Sequence, residues 1–369
     1  MLFTKIRRAN VFRAVLIVVI LTAMLVPMTS CKKDEPAPTT MEPTTTSASE
    51  VPQQTTTLPS EKEIGDANPL TGLPHTSSKG VSARPVGIII NNIKIATPQA
   101  GIGSADLLYE IEVEGDITRL MAVFANPADV PEIGSVRSLR HDFIDLAGAF
   151  NAIVVHFGGS YAAYDQVMLQ NTDHIDSSNA DSAFWRDANW RSSRGYEHSV
   201  KTEGSNLVKA ISSLKIEDKN SNDNQAWFYF QPDRTVVPAS GNTASKVTAP
   251  FSNYSVATFT YDEATQTYVK GQFNADQIDV ANGEPLHFTN VLLLQTSVTQ
   301  FNGDILKEYD LTSGSGYYVT GGKYELINWK KGYTNDPWIF TKADGSELVL
   351  NRGKTYIGIS RYTKTINFR

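Results

Sequence analysis

Residues 134–143 read GSVRSLRHDF, and Arg137 and Arg140 stand three places apart in them. A guanidinium group suits one task above others, the bidentate grip of a carboxylate or phosphate. The stretch is expected to open a helix capped by Ser135, because Val136, Leu139, Phe143, Leu146, Ala147 and Phe150 follow at helical spacing. A helix start carries partial positive charge, so two bases there are misplaced unless something negative meets them. Within such a helix neither arginine has an acid three or four residues further on. Asp142 and Asp145 are spaced for Ser138 and His141 instead. Both cations therefore need a partner from outside their own helix.

Two kinds of partner are available. LLYEIEVEGDITRLMAVFA (107–125) reads as two strands around a two-residue turn, Gly115-Asp116. Glu114 would then face Ile117, and Glu112 would oppose Arg119. Side chains alternate along a strand, which puts Glu110, Glu112 and Glu114 on one face and Tyr109, Ile111 and Val113 on the core side. Arg119 can satisfy only one of the three acids, so Arg137 and Arg140 could answer the others in a structural charge cluster. The second partner is an external anion. NAIVVHF (151–157) is strand-like and is followed by Gly158-Gly159-Ser160 and a helix, YAAYDQVMLQ, capped by Ser160. The order of strand, helix, strand, helix implies a parallel strand pair. Both helix starts would then lie at one sheet edge, where free N–H groups, the glycine bend, His156 and the two arginines could receive a phosphate or carboxylate. His156 suits either a hydrogen-bonded structural place or a role as acid or base.

Other motifs carry less. DHIDSSNAD (173–181) lacks the glycine and terminal glutamate of a calcium loop, GKT (353–355) lacks the upstream glycine of a phosphate-binding loop, and GGS lacks the flanking pattern of a serine-nucleophile elbow. No metal or cofactor is expected. Trp329 and Trp338 read as sheet core and edge, with a carbohydrate platform as the alternative.

The ends of the chain set its location. Lys5, Arg7, Arg8 and Arg13 make a basic n-region, Val11 to Val26 is largely apolar, and MTSC follows, with Cys31 the one cysteine of 369 residues. This is the form of a lipoprotein signal cleaved before a lipid-bearing cysteine. The apolar run is short of the ~20 residues a membrane span needs. Residues 32–66 are rich in Thr, Pro, Ser and Glu and read as a disordered tether. The formal charge is −6, and four of the bases lie in residues 1–30, so the remainder is more acidic still. That argues against a nucleic-acid partner.

The predicted organisation is a signal peptide (1–30), a tether (31–66), an N-terminal α/β domain with a partly parallel sheet (67–220) and a C-terminal, mostly antiparallel β domain (221–369). The fold class is α+β. In the first half VGIIINN (86–92) is a buried strand and GSNLVKAISSLK (204–215) a helix. Residues 171–200 read as irregular with aromatics at Phe184, Trp185 and Trp190. After residue 220, β-type runs follow one another with no long helix between them.

Taken in order, NPLTGLP, RPVGIIINN, QAGIGSADLLYEIEVEGDITRLMAVF, IGSVRSLR and VVHFGGS resemble the YerB-like lipoproteins of Gram-positive bacteria. The resemblance covers roughly residues 67–215 and runs on more loosely to 369 through GKYELINWKKG and GKTYIGI. It implies lipobox, tether, α/β domain and second domain, on the outer face of the cytoplasmic membrane, and supplies no chemistry. One departure is Gly115-Asp116, where the family pattern has a glycine pair. The polar positions the resemblance carries over are Arg84, Asn91, Glu110, Glu114, Arg119, Arg137, Ser138, Arg140, His156, Gly158, Gly159 and Ser160. The combined expectation is a lipid-anchored protein binding an anionic ligand: a cell-wall polymer, a lipid-linked phosphate or an acidic protein patch. Two alternatives stand beside it. One is phosphoryl transfer or hydrolysis at the same edge, with Arg137 and Arg140 stabilising charge and His156 or Glu110 as acid or base. The other is a protein–protein adaptor.

Overall fold

A computed structural model describes residues 67–75, 83–220 and 227–369. The signal segment, Cys31 and the tether lie outside the described residues.

Eleven strands build the central sheet. In chain order they are β1 (Val86–Asn91), β2 (Leu107–Glu112), β3 (Thr118–Phe124), β4 (Ile153–Val155), β5 (His174–Ile175), β6 (Asn242–Thr243), β7 (Asn290–Thr296), β8 (Ser313–Thr320), β9 (Lys323–Lys330), β10 (Ile339–Lys342) and β11 (Thr355–Arg361). Across the sheet the order is β6-β9-β8-β7-β11-β2-β3-β1-β4-β5, with β10 also paired to β9. The first half contributes a mixed part, in which β1 is antiparallel to β3 and parallel to β4. The second half is mostly antiparallel, including β7-β8-β9 and a separate six-stranded sheet built on Lys246–Pro250, Val256–Asp262 and Thr267–Gln272. The α+β class is thus observed, and no α-helix occurs among the described residues after 220.

The sheet is a middle layer between two cores. Along β1, Ile89 faces one core and Val86, Ile88 and Ile90 the other, as strand alternation requires. Helices α1 (Asp142–Gly148) and α2 (Tyr161–Gln170) supply the first core. Helix α5 (Gly204–Leu214) and the smaller sheet supply the second. Two shorter helices, α3 (Ser177–Ala180) and α4 (Ala188–Arg194), lie between α2 and α5. Trp329 and Trp338 are 2% and 3% exposed and belong to the first core, so neither forms an open platform.

One local expectation is met at the start of α2. Ser160 caps α2 by accepting from the Ala163 amide at 3.2 Å. Gly321 and Gly322, both with positive φ, make the tight turn between β8 and β9, a conformation glycine adopts freely.

Three expectations are corrected. First, no helix begins at Ser135: α1 starts at Asp142. Residues 135–140 run extended, with Asn91 N donating to Ser135 O (2.9 Å), Arg137 N to Ile89 O (2.9 Å) and Leu139 N to Gly158 O (2.9 Å). The helical spacing was deceptive because Val136 enters one core while Leu139 and Phe143 enter the other. Second, the β2–β3 turn holds three residues, Glu114–Asp116, closed by Val113 N donating to Ile117 O at 2.8 Å. The register therefore slips by one, pairing Ile111 with Arg119 and Glu112 with Thr118. Third, the strand before the arginine segment is not a parallel neighbour of β4. It is antiparallel to β1, which separates the two.

Candidate functional site: a cationic cluster at the end of β1

The extended run 135–140 brings the arginines to the end of β1 by a route no helix would have taken. Val136 bridges to Ile90, and Leu139 to Gly159. Phe157 N donates to Arg137 O, and Ser160 N to Leu139 O. Arg137 and Arg140 thus border both the tip of β1 and the bend after β4.

Glu114 is the centre of charge. Arg140 donates to it twice, Nε to Oε2 at 2.8 Å and Nη2 to Oε1. Arg119 Nη2 donates to the same Oε1 at 3.3 Å, and its Nη1 donates to the Ser138 carbonyl. One carboxylate so serves two guanidinium groups. Burial pushes the Glu114 carboxyl up, but the Arg140 hydrogen bond and the charges of Arg119 and Arg140 outweigh it and hold the group at about 2. Arg119 feels the converse. Burial first, then the like charge of Arg140, with a further contribution from Arg137, bring it down to about 9 against the pull of Glu114. Arg137 donates to the carboxylate of Glu197 (3.1 Å) and to its carbonyl (3.2 Å). That partner is weakly held, since the Glu197 side chain is 69% exposed. Beside it, the Asn91 amide and His198 Nδ1 lie 2.9 Å apart. Three arginines and two acids leave a surplus of one positive charge, on a chain whose formal charge is −6.

The structure brings Asn91, Glu114, Arg119, Arg137, Ser138 and Arg140 together, with Gly158 next to them: a Cβ there would stand 3.5 Å from Ser138 Oγ. Other predicted residues are engaged elsewhere. Arg84 sits before the opposite end of β1, clasping Asp173 (2.5 Å) and the Asn151 carbonyl (2.6 Å). Glu110 is fully buried and pairs with Lys270 Nζ at 3.1 Å, while accepting from Tyr356, Thr118 and Asn92. His156 is fully buried below the glycine bend, with Nδ1 2.8 Å from Gly158 O and Nε2 3.0 Å from His174 Nδ1. Burial takes it down to about 4, against Asp176, so it sits neutral in the fold. The Gly158 amide donates to Asp176 (2.8 Å), Gly159 lies against the Tyr164 ring, and the Ser160 hydroxyl is spent on its cap.

Sequence reasoning missed the segment that completes the cluster, WRSSRGYEH (190–198). Its signal was present as three arginines within nine positions, counting back to Arg186, around Trp190 and Tyr196. It meets the cluster through Glu197, on Arg137, and His198, beside Asn91.

The chain belongs to the family described as "Protein of unknown function (DUF3048)". The model of that family's N-terminal domain matches residues 70–217, and that of its C-terminal domain matches residues 247–357. Among relatives, the "Putative lipoprotein YerB" of Bacillus subtilis (strain 168) is 30% identical over 295 residues, 79% of this chain and 85% of that protein. The crystal structure of the YerB protein from Bacillus subtilis superposes with a TM-score of 0.70 at 26% identity, covering 82% of this chain and 99% of that one.

Proposed function

We propose that this protein is a lipoprotein of the cell envelope, anchored through Cys31 outside the cytoplasmic membrane, and that the cluster at the end of β1 binds an anionic ligand. The MTSC motif and the name of the Bacillus relative, "Putative lipoprotein YerB", support the anchor. Among the described residues no helix is long and apolar enough to cross a membrane.

The observation that carries the binding reading is the sharing of Glu114. Two guanidinium groups meet one carboxylate, and the third, Arg137, has among the described residues only the exposed carboxylate of Glu197. A phosphate or carboxylate displacing Glu197 would accept bidentate N–H donors from Arg137 and face the surplus charge of the other two. Binding is favoured over phosphoryl transfer because Glu110 and His156, the candidate acid and base, are both 0% exposed.

The test uses the unlipidated chain (Cys31→Ser, without residues 1–30). Its Tm should rise with added sodium phosphate, and the rise should vanish in Arg137→Ala. Saturation a hundredfold above Kd corresponds to about 2.7 kcal/mol of added stability. An unmoved Tm at saturating phosphate overturns the reading. Mass spectrometry of the mature N-terminus checks the lipid on Cys31.

A further inference from the structure

We infer that the ligand is a linear polyanion, whose charges continue past Arg137 along a track formed by Arg186 and Arg191. This rests on the proposed binding at Arg137 and names the class of molecule bound there.

The geometry lies in the 184–198 segment. Arg186 Nη1 donates to the Tyr196 carbonyl at 2.6 Å, and Arg137 Nη1 donates to the next carbonyl, Glu197 O. Consecutive carbonyls of one 3-10 turn, Tyr196–His198, therefore hold the two cations as neighbours. The Arg186 guanidinium lies 3.6 Å from the Tyr196 ring centroid and 5.0 Å from that of Phe157. Arg191 approaches the same Tyr196 ring at 5.2 Å. Cation–π contact fixes a guanidinium while leaving N–H groups at its edge free to donate. Tyr196 is 56% exposed, and Arg191 is exposed as well. Among the described residues neither Arg186 nor Arg191 has a carboxylate within salt-bridge distance.

On an acidic chain, uncompensated arginines held in place on a ring, in a row that continues from an anion site, match a ligand with charges at intervals. A single phosphate would need only the first position. The row contains arginines and no exposed lysine, which suits planar recognition of phosphate or carboxylate groups more than diffuse attraction to a charged surface. A flat anionic membrane is the competing partner.

The test titrates the unlipidated chain with inorganic phosphate, tripolyphosphate and long-chain polyphosphate as probes. Affinity per chain should climb at least about tenfold from the shortest to the longest probe, with steep salt dependence. Arg186→Gln combined with Arg191→Gln should remove that gain, lower the salt slope by about one per arginine, and leave binding of inorganic phosphate intact. Affinity independent of chain length, or a double variant that behaves as the parent, overturns the inference while phosphate binding at Arg137 stands. Long-chain binding that survives Arg137→Ala and is lost in the double variant instead overturns the proposed function and keeps the track. Vesicles of phosphatidylglycerol serve as the third arm. If they bind through Arg186 and Arg191 while polyphosphate does not, the partner is a membrane and the polyanion is refuted. Circular dichroism of each variant shows that the fold survives. Should the double variant not fold, the two single glutamine variants carry the same comparison.

Discussion

Arg140 and Glu114 form a two-point clasp between a loop and a strand hairpin, and the same carboxylate also carries Arg119. Because the Glu114 carboxyl is held down at about 2, its contribution to stability is complete above its ordinary value near 4.5 and fades as pH falls towards 2. The parent should therefore lose stability over that window, and Glu114→Gln should lose less of it. Urea midpoints measured from pH 6 to pH 2.5 check this. At neutral pH the same variant should be less stable yet bind phosphate more tightly, since it releases two guanidinium groups.

Lys270 and Glu110 are both fully buried and pair across the two halves of the sequence. Removing one partner strands the other charge away from water. Lys270→Met should cost about 3–5 kcal/mol. Combining it with Glu110→Gln should recover part of that loss, because the remaining amide is neutral. Chemical denaturation of the four forms gives the coupling directly.

His141 is 8% exposed, and neither ring nitrogen has a hydrogen-bond partner among the described residues. Its ring packs 4.5 Å from that of Phe301. Burial, then the charge of Arg140, push it down to about 4. The unfolded chain thus takes up this proton first, near pH 6.5, and stability is lost as pH falls from 6.5 towards 4. His141→Phe should flatten the pH profile in that range and cost little above it, since no hydrogen bond is broken. Thermal melts between pH 7 and pH 4 decide the matter.

What could be read before folding depended on how local the information was. VGIIIN and the capped YAAYDQVMLQ declare themselves within one element, because burial and capping act over a few residues. The segment 135–140 could not, since its backbone bonds go to Ile89, Asn91 and Gly158, and its apolar residues divide between two cores. The hairpin register failed by one residue because Glu114 joins Gly115 and Asp116 in the turn, which Val113 N closes by donating to Ile117 O. At the site, the expectation of outside partners for Arg137 and Arg140 comes from a helical spacing that residues 135–140 do not have, although the partners, Glu114 and Glu197, do lie outside that segment. Glu114 was among the candidates, whereas Glu197 lies sixty residues away and only tertiary packing could nominate it.

Strand β11 sits between β7 and β2, parallel to both, and spans Thr355–Arg361 near the end of the chain. Synthesis is vectorial, so β2 is made long before the neighbour that closes its open side. Until Thr355–Arg361 emerge, the backbone amides of Leu107–Glu112 on that side have no strand to meet, and such an edge invites pairing with any other extended chain. A premature stop anywhere before Thr355 would leave a sticky half-sheet rather than a shortened working molecule.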